Sequence, residues 1–192
     1  MELGVVGSKI LTVIIILMGS SMGSENTTDI MDLISDSNFE DIISKTLGNE
    51  GGYKAHHEKY GGETNYGIPK KFYPDVDIKA LTRDNAKEIY RKDFYEGPGI
   101  NKIAYPDVAY KVFDFGVTSG PTDSIKLLQE TLNGLGGNLK VDGVLGNNTL
   151  SELYKHKPED ISAKFESGVI NHYKSLRTRK YMKGWLRRAR NK

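Results

Sequence analysis

Most of this 192-residue chain repeats apolar residues at the three- and four-residue spacing of an amphipathic helix, and glycine or proline separates one such stretch from the next. The last of them follows Pro158 and has one apolar stripe: Ile161, Phe165, Val169, Tyr173 and Leu176. This spacing predicts a mainly α-helical fold. The predicted helices cover residues 37–47, 82–95, 107–115, 121–135, 150–154 and 158–176.

The first two predicted helices have recognisable start signals. A capping-box pattern begins at Ser37, and Gly48 follows the last apolar residue of that stretch. Thr82 has the side chain of a helix N-cap for the second. The residues predicted to face the core are Phe39, Ile42, Ile43 and Leu47 in the first helix and Ala86, Ile89, Tyr90 and Phe94 in the second.

One short stretch breaks the helical pattern. Residues 60–69 alternate glycine with tyrosine and threonine, which is the composition of tight turns and a small hairpin. No other stretch of the sequence indicates a strand. The predicted fold class is therefore mainly α, with one small β-hairpin and a C-terminal helical lobe.

The absence of cysteine excludes several kinds of chemistry. A chain with no cysteine has no disulfides, no thiolate metal ligands and no thiol nucleophile. Cysteine peptidases and amidases are therefore excluded as function classes. With 38% hydrophobic residues, a chain of this length can fill one ordinary core or two small lobes.

The N-terminal segment has the pattern of an export signal. Between residues 4 and 23 the only charge is Lys9, and the apolar core at residues 10–18 is shorter than the about 20 residues of a membrane span. We therefore assign residues 1–24 to a signal peptide or weak signal-anchor that can enter the inner membrane and later leave it. The acidic, polar residues 25–37 are assigned to a linker. The export signal predicts a protein that works outside the cytoplasm.

Basic residues are concentrated at the C-terminal end. Residues 174–192 hold nine lysines or arginines and no acid, whereas the rest of the chain has 18 basic and 25 acidic residues. Such an end favours an anionic partner, or forms a solvated helix with 187–192 as a basic tail. The export signal argues against nucleic acid as that partner.

Glu50 is the leading candidate for acid catalysis. Hydrolysis of a glycosidic bond needs a carboxylic acid that is still protonated near neutral pH, and therefore a half-buried carboxyl. Glu50 follows an apolar helical stretch and precedes two glycines and Tyr53, which suits a site where substrate approaches the backbone. Thr64 is predicted to position a water molecule. Tyr53, Tyr60 and Tyr66 are predicted to stack on sugar rings.

Three segments together resemble glycoside hydrolase family 108, which comprises muramidases of phage endolysins and of bacterial proteins that open the wall for secretion. They are Glu50-Gly51-Gly52-Tyr53, Gly61-Gly62-Glu63-Thr64-Asn65-Tyr66-Gly67-Ile68 and Tyr90-Arg91-Lys92-Asp93-Phe94-Tyr95. Four later segments are similar to the helical peptidoglycan-binding domain that accompanies that family. They are Phe113-Asp114-Phe115-Gly116-Val117, Leu128-Gln129, residues 142–150 and Gly184-Trp185-Leu186-Arg187-Arg188.

The resemblance implies a lysozyme-like helical fold, a catalytic region at residues 38–101, a peptidoglycan-binding region at 102–186 and Glu50 as the catalytic acid. The family carries an Asp nine positions after that Glu, where this chain has Lys59 beside Glu58. Glu58 can take the part of base or charge stabiliser, or Thr64 and Glu63 can orient the water instead. Glu63 is also assigned to substrate binding.

Other candidate sites have simpler interpretations. His56-His57-Glu58 lacks a third zinc ligand at suitable spacing, so no metal is expected. Asp142-Gly143 lacks the alternating carboxylates of a calcium loop and is read as a turn. Asp114, between two phenylalanines, either caps a helix start or borders the cleft as a substrate contact.

Together these features predict a cofactor-free, monomeric N-acetylmuramidase that cuts peptidoglycan glycan strands in the periplasm or wall, in the manner of a phage endolysin. A bacterial secretion muramidase is the first alternative. A non-catalytic peptidoglycan-binding protein, with activity lost through the change at Lys59, is the second.

Overall fold

The structure is a computed structural model that describes residues 24–49, 52–57, 62–176 and 184. The chain divides into two compact units, residues 1–41 and 42–192, and the described part of the first is entirely helical. The predicted signal segment up to residue 23 and the basic tail at 187–192 lie outside the described residues. Among the helices that the structure does describe, none is both long and apolar enough to cross a bilayer.

Helix α1 runs from Ser24 to Asn49 and corrects two predictions. The helix does not start at Ser37, and residues 25–37 are not an irregular linker. The reason is that the sequence from Ser24 to Leu47 contains neither proline nor glycine, so polar composition alone does not interrupt the helix. The predicted apolar stripe is confirmed, because its residues are buried: Phe39, Ile42, Ile43 and Leu47.

The predicted hairpin is confirmed. Strands β1 (Thr64–Asn65) and β2 (Ile68–Pro69) pair antiparallel, with Asn65 opposite Ile68. The two residues between them, Tyr66 and Gly67, have φ of 49° and 77°, as the tightest hairpin turn requires. This turn matches the right-handed twist of the strands it joins. The tight register then places Thr64 opposite Pro69.

Helix α2 (Arg83–Tyr90) begins as predicted, since the backbone N–H of Asn85 donates to the Thr82 hydroxyl at 3.2 Å. Beyond Tyr90 the chain continues as a π-helical turn from Arg91 to Glu96. The wider turn rotates the following side chains relative to an α-helix, so Tyr95 is fully buried and Phe94 only partly. Of the residues predicted to face the core, Ala86 and Tyr90 are buried, whereas Ile89 and Phe94 are half-buried.

The remaining helices form the C-terminal lobe. After a short 3₁₀ turn (Ile100–Lys102) come α3 (Pro106–Ser119), α4 (Pro121–Asn133), α5 (Asn147–Leu153) and α6 (Pro158–Ser175). Helices α3, α4 and α6 pack on one another. On α3 the ring of Phe115 meets Phe165 and Tyr173 of α6 at centroid distances of 6.1 and 5.9 Å. Four members of the predicted stripe are confirmed as core, whereas the fifth, Leu176, lies just past the end of α6 and is 36% exposed.

Candidate functional site

Three short segments lie side by side around the hairpin. We call residues 53–57, 62–65 and 68–70 the hairpin platform. Lys54 and Thr64 exchange two backbone hydrogen bonds of 2.8 and 2.9 Å, and the His57 N–H donates to the Gly62 carbonyl at 2.9 Å. On the other side, the Lys70 N–H donates to the Glu63 carbonyl at 2.9 Å. The segment that follows Glu50 in sequence is therefore paired to the hairpin.

The pairing decides which side chains share a face of the hairpin platform. Residues opposite one another in an antiparallel pair point the same way, and neighbours along a strand point in opposite directions. Tyr53 and Glu63 lie on one face, where the Tyr53 hydroxyl donates to Glu63 Oε1 at 2.7 Å. Thr64 lies on the other face with Lys54 and is only 6% exposed. Glu63 and Thr64 consequently project in opposite directions.

Tyr53 is an accessible tyrosine with an occupied hydroxyl. Its side chain is 39% exposed, and the hydrogen bond to Glu63 raises the pKa of Tyr53 above 10.0, with desolvation adding to the rise. The hydroxyl therefore stays protonated and continues to donate at neutral pH. The exposed face of the Tyr53 ring takes no part in the hydrogen bond to Glu63.

Asn65 fastens the same face to the loop that follows the hairpin. Its buried side-chain amide donates to the carbonyls of Ile78 and Leu81 at 3.1 and 3.3 Å. Burying an amide without such partners is costly, so these two bonds fix the position of the loop against β1. Asn65 lies in the Gly61–Ile68 segment, but nothing in the local sequence indicates this role.

The turn of the hairpin is tied to α2. Tyr90, fully buried on α2, donates from its hydroxyl to the backbone carbonyl of Tyr66 at 3.0 Å. The Tyr90 ring in turn lies 6.2 Å from the Phe113 ring of α3. The partly exposed side chain of Tyr66 is thus carried by a turn that the helical core holds in place.

A second tyrosine and carboxylate pair lies near the hairpin platform. The Tyr73 hydroxyl donates to Asp93 Oδ2 at 2.9 Å, joining the loop after β2 to the π-helical turn. Burial first, and then the bond to Asp93, hold the pKa of Tyr73 far above its ordinary range. Nothing in the local sequence spacing signals this pair, since its members are 20 positions apart.

The predicted site residues divide into three groups. The structure brings Tyr53, Glu63, Thr64 and Tyr66 together on the hairpin platform and its turn. Asp114 lies on α3, partly exposed between two fully buried rings, those of Phe113 and Phe115. The other predicted site residues lie outside the described residues: Glu50, Glu58 and Tyr60.

The loop between α4 and α5 is built around one buried amide. Gln129 is 1% exposed, and its Nε2 donates to Asp142 Oδ1 at 2.9 Å and to the Val144 carbonyl at 3.1 Å. Its Oε1 accepts the Gly143 N–H at 2.9 Å. The same side chain therefore satisfies several polar groups of the turn before α5. The interpretation of Asp142-Gly143 as a structural turn is confirmed.

Tyr154, directly after α5, is bonded to the end of the 3₁₀ turn and to the residues just after it. Its hydroxyl donates to the Lys102 carbonyl at 2.8 Å and accepts the Ala104 N–H at 2.9 Å. Burial raises the pKa of Tyr154, so it remains a donor at neutral pH. The 3₁₀ turn is thereby held against the residues that follow α5.

Among the described residues, no group of three histidine or acidic side chains is placed to hold a metal ion.

Comparison with known proteins assigns the two regions. Residues 43–120 match the family model Glycosyl hydrolase 108, and residues 123–190 match the one described as "Predicted Peptidoglycan domain". The solved structure of Brucella abortus SagA is similar, with a TM-score of 0.70 and 27% identity over 80% of this chain and 90% of that chain. No curated protein gives a significant sequence match. The chain thus combines a region that matches the glycosyl hydrolase 108 family with a region that matches a peptidoglycan domain, and it is a glycosidase acting on peptidoglycan with a mostly helical, lysozyme-like fold.

Proposed function

We propose that the chain is an N-acetylmuramidase that hydrolyses the bond between N-acetylmuramic acid and N-acetylglucosamine, with Glu50 as the general acid. The family match over residues 43–120 is the observation that carries this proposal. In sequence, Glu50 directly follows Asn49, the last residue of α1, and precedes by three positions Tyr53, the first residue of the hairpin platform. Its attachment points are thus a helix end and a paired β-segment.

The chemistry needs a proton donor, a water molecule and a stabiliser of positive charge on the sugar ring. Glu50 donates the proton to the leaving oxygen. Thr64, nearly buried on the face of the hairpin platform opposite Glu63, orients the attacking water. Glu58 supplies the second carboxylate. It stands one position before Lys59, which is the position where the resemblance leads us to expect Asp.

Substrate contacts are assigned to aromatic and carboxylate side chains near these groups. Tyr53 and Tyr66 are partly exposed and offer ring faces to sugars. Tyr60 and Asp114 are proposed as further substrate contacts. Stacking of this kind orients a sugar without adding charge, which leaves the electrostatics of the cleft to the carboxylates. The reaction needs no cofactor.

Digestion of purified sacculi tests the reaction. Borohydride reduction of the products followed by mass spectrometry identifies the sugar at each new reducing end, and N-acetylmuramitol is expected. Glu50→Gln should lower the rate by about 10²–10⁴-fold with folding and sacculus binding intact. Glu88→Gln, an exposed glutamate on α2, is the matched control and should behave as the wild type. A Glu50→Gln protein with near-normal release contradicts the acid assignment, and binding without release by the wild type favours a non-catalytic protein.

We further propose that the enzyme is an endolysin of a phage, acts as a monomer and reaches the wall through residues 4–23, which tether it transiently to the inner membrane. The short apolar core and its glycine and serine flanks support this proposal. Fractionation of expressing cells should find the chain with the membrane, and depolarisation should release it. A chain that is soluble and N-terminally trimmed at all times contradicts the tether.

A further inference from the structure

We propose that Tyr53 and Glu63 are positioning residues for Glu50: they fasten residues 53–57, which follow Glu50 in sequence, to the hairpin, so that their hydrogen bond sets kcat. This inference rests on the proposed function, because it takes Glu50 as the acid. It assigns the Tyr53 hydroxyl and the Glu63 carboxylate to a clamp and leaves the exposed ring face of Tyr53 for substrate.

The position of the hydrogen bond in the chain is the first support. Within residues 53–57, Lys54 is the first residue whose backbone is hydrogen-bonded to the hairpin. The bond from Tyr53 to Glu63, at 2.7 Å, fixes the residue before it. Glu50 precedes Tyr53 by three positions in the sequence. A restraint on Tyr53 is therefore the nearest described restraint on the C-terminal side of Glu50.

The face on which Glu63 lies is the second support. Glu63 and Thr64 project from opposite faces of the hairpin platform, so a water molecule held by Thr64 is not on the side of Glu63. Asn65, on the same face as Glu63, is bonded to the loop at Ile78 and Leu81. This face therefore carries bonds that attach segments to one another, and the Glu63 carboxylate, which accepts the Tyr53 hydroxyl, acts through Tyr53.

Misplacement of a catalytic acid is expected to appear in kcat. A displacement of about 1 Å at a reacting group can lower the rate by about 10²-fold, while substrate contacts elsewhere are unchanged. Removing the hydroxyl in Tyr53→Phe loosens the segment without removing its ring. We expect kcat to fall about tenfold with KM nearly constant, a loss within the range that positioning supplies.

Variants at Glu63 separate positioning from charge. Glu63→Gln retains an oxygen that accepts the Tyr53 hydrogen bond, so it should keep far more activity than Glu63→Ala. Glu63→Ala should match Tyr53→Phe, and the double variant should lose no more than either single one, because both changes break the same contact. The pH dependence of kcat/KM should have the same limbs in all of these variants as in the wild type.

Tyr73→Phe is the matched control. It removes a tyrosine hydroxyl that also donates to a carboxylate, that of Asp93, at 2.9 Å. This variant should lose thermal stability but keep its kcat. Amide hydrogen exchange of residues 52–57 is the second measurement, and it does not need an active enzyme. Exchange should accelerate there in Tyr53→Phe and Glu63→Ala but not in Tyr73→Phe.

The outcomes are distinguishable. Wild-type kcat and wild-type exchange in Tyr53→Phe overturn the clamp. A Glu63→Gln enzyme as inactive as Glu50→Gln also overturns it, since the charge of Glu63 is then required. If the wild type releases no reducing sugar, the proposed function fails and the exchange experiment alone decides whether Tyr53 and Glu63 hold the segment.

Discussion

Gln129 and Asp142 are joined by a hydrogen bond of 2.9 Å, and the same Asp142 oxygen accepts the Val144 N–H at 3.0 Å. The buried amide and the exposed carboxylate thus share the turn that leads into α5. Val144 itself is 63% exposed on the outside of that turn. Buried Gln129 thus fixes the inner side of the loop, while the apolar side chain of Val144 at its tip is exposed to solvent.

Replacing Gln129 should unfold this loop first. Gln129→Leu keeps most of the volume but removes the bonds to Asp142, Gly143 and Val144, each contributing about 0.5–1.5 kcal/mol. We expect a loss of about 2–4 kcal/mol in the free energy of unfolding, measured by urea denaturation. Glu130→Gln, at the exposed neighbouring position, should change it by less than about 0.5 kcal/mol. Equal stability of Gln129→Leu and wild type would show that the buried amide is dispensable.

Acid should weaken the same region. The hydrogen bond from Gln129, followed by the Val144 N–H, lowers the pKa of Asp142 below 3.8 in the folded chain. A lowered folded-state pKa gives stability that is complete above the unfolded value and is lost as pH falls through the folded value. The midpoint of unfolding, measured at pH values from 6 to 2, should therefore decrease once the pH is below about 4.

Asp142→Asn removes the stability that depends on the charged Asp142 carboxylate. The loss of stability between pH 6 and pH 2 should therefore be smaller in this variant than in the wild type. Lys155 and then His156 lower the pKa of Glu152 in the same sense, so some dependence should remain in this variant. Asp160→Asn on α6 is the control for loss of a surface carboxylate. An Asp142→Asn profile with the full wild-type slope would contradict the assignment.

Gly143 and Gly146 offer a matched pair of glycines in one loop. Gly143 has a φ of 78°, and a Cβ there would lie 2.7 Å from Thr122 Cγ2 and 3.0 Å from the Thr122 carbonyl oxygen. Gly146 has an ordinary φ of −94° and open space around the same position. We expect Gly143→Ala to cost at least about 1–2 kcal/mol and Gly146→Ala to be nearly neutral, as measured by thermal unfolding. Similar melting temperatures for the two variants would refute this.

At Tyr66, the contribution of the turn conformation to stability and that of the ring to substrate binding can be tested separately. Its φ of 49° is unusual for a tyrosine, whereas asparagine before glycine suits this turn. Tyr66→Asn should keep or raise the melting temperature, because the Tyr90 hydroxyl still finds the backbone carbonyl at residue 66. If the ring contacts glycan as proposed, KM should rise several-fold. An unchanged KM would remove Tyr66 from the substrate site.

Local sequence signals were sufficient for most of the fold. Thr82 caps α2 as predicted because its hydroxyl reaches a backbone N–H only three residues away. The hairpin followed from glycine and its neighbours for the same reason. Composition was a poorer guide at α1, where polar residues suggested a linker although no helix breaker was present. Tyr95, and not Phe94, is the fully buried ring of this stretch, because the π-helical turn changes the periodicity on which the prediction depended.

The sequence by itself determined where helices form, which stripe of each is apolar and where the chain must turn, because those properties depend on residues a few positions apart. Only the tertiary structure decided that Tyr53 meets Glu63, that Tyr90 holds the turn at Tyr66 and that Gln129 serves Asp142. Such bonds join residues 10 to 24 positions apart and leave no periodic trace in the sequence. They form because packing of the apolar stripes brings these polar groups together, where an unpaired donor would be costly.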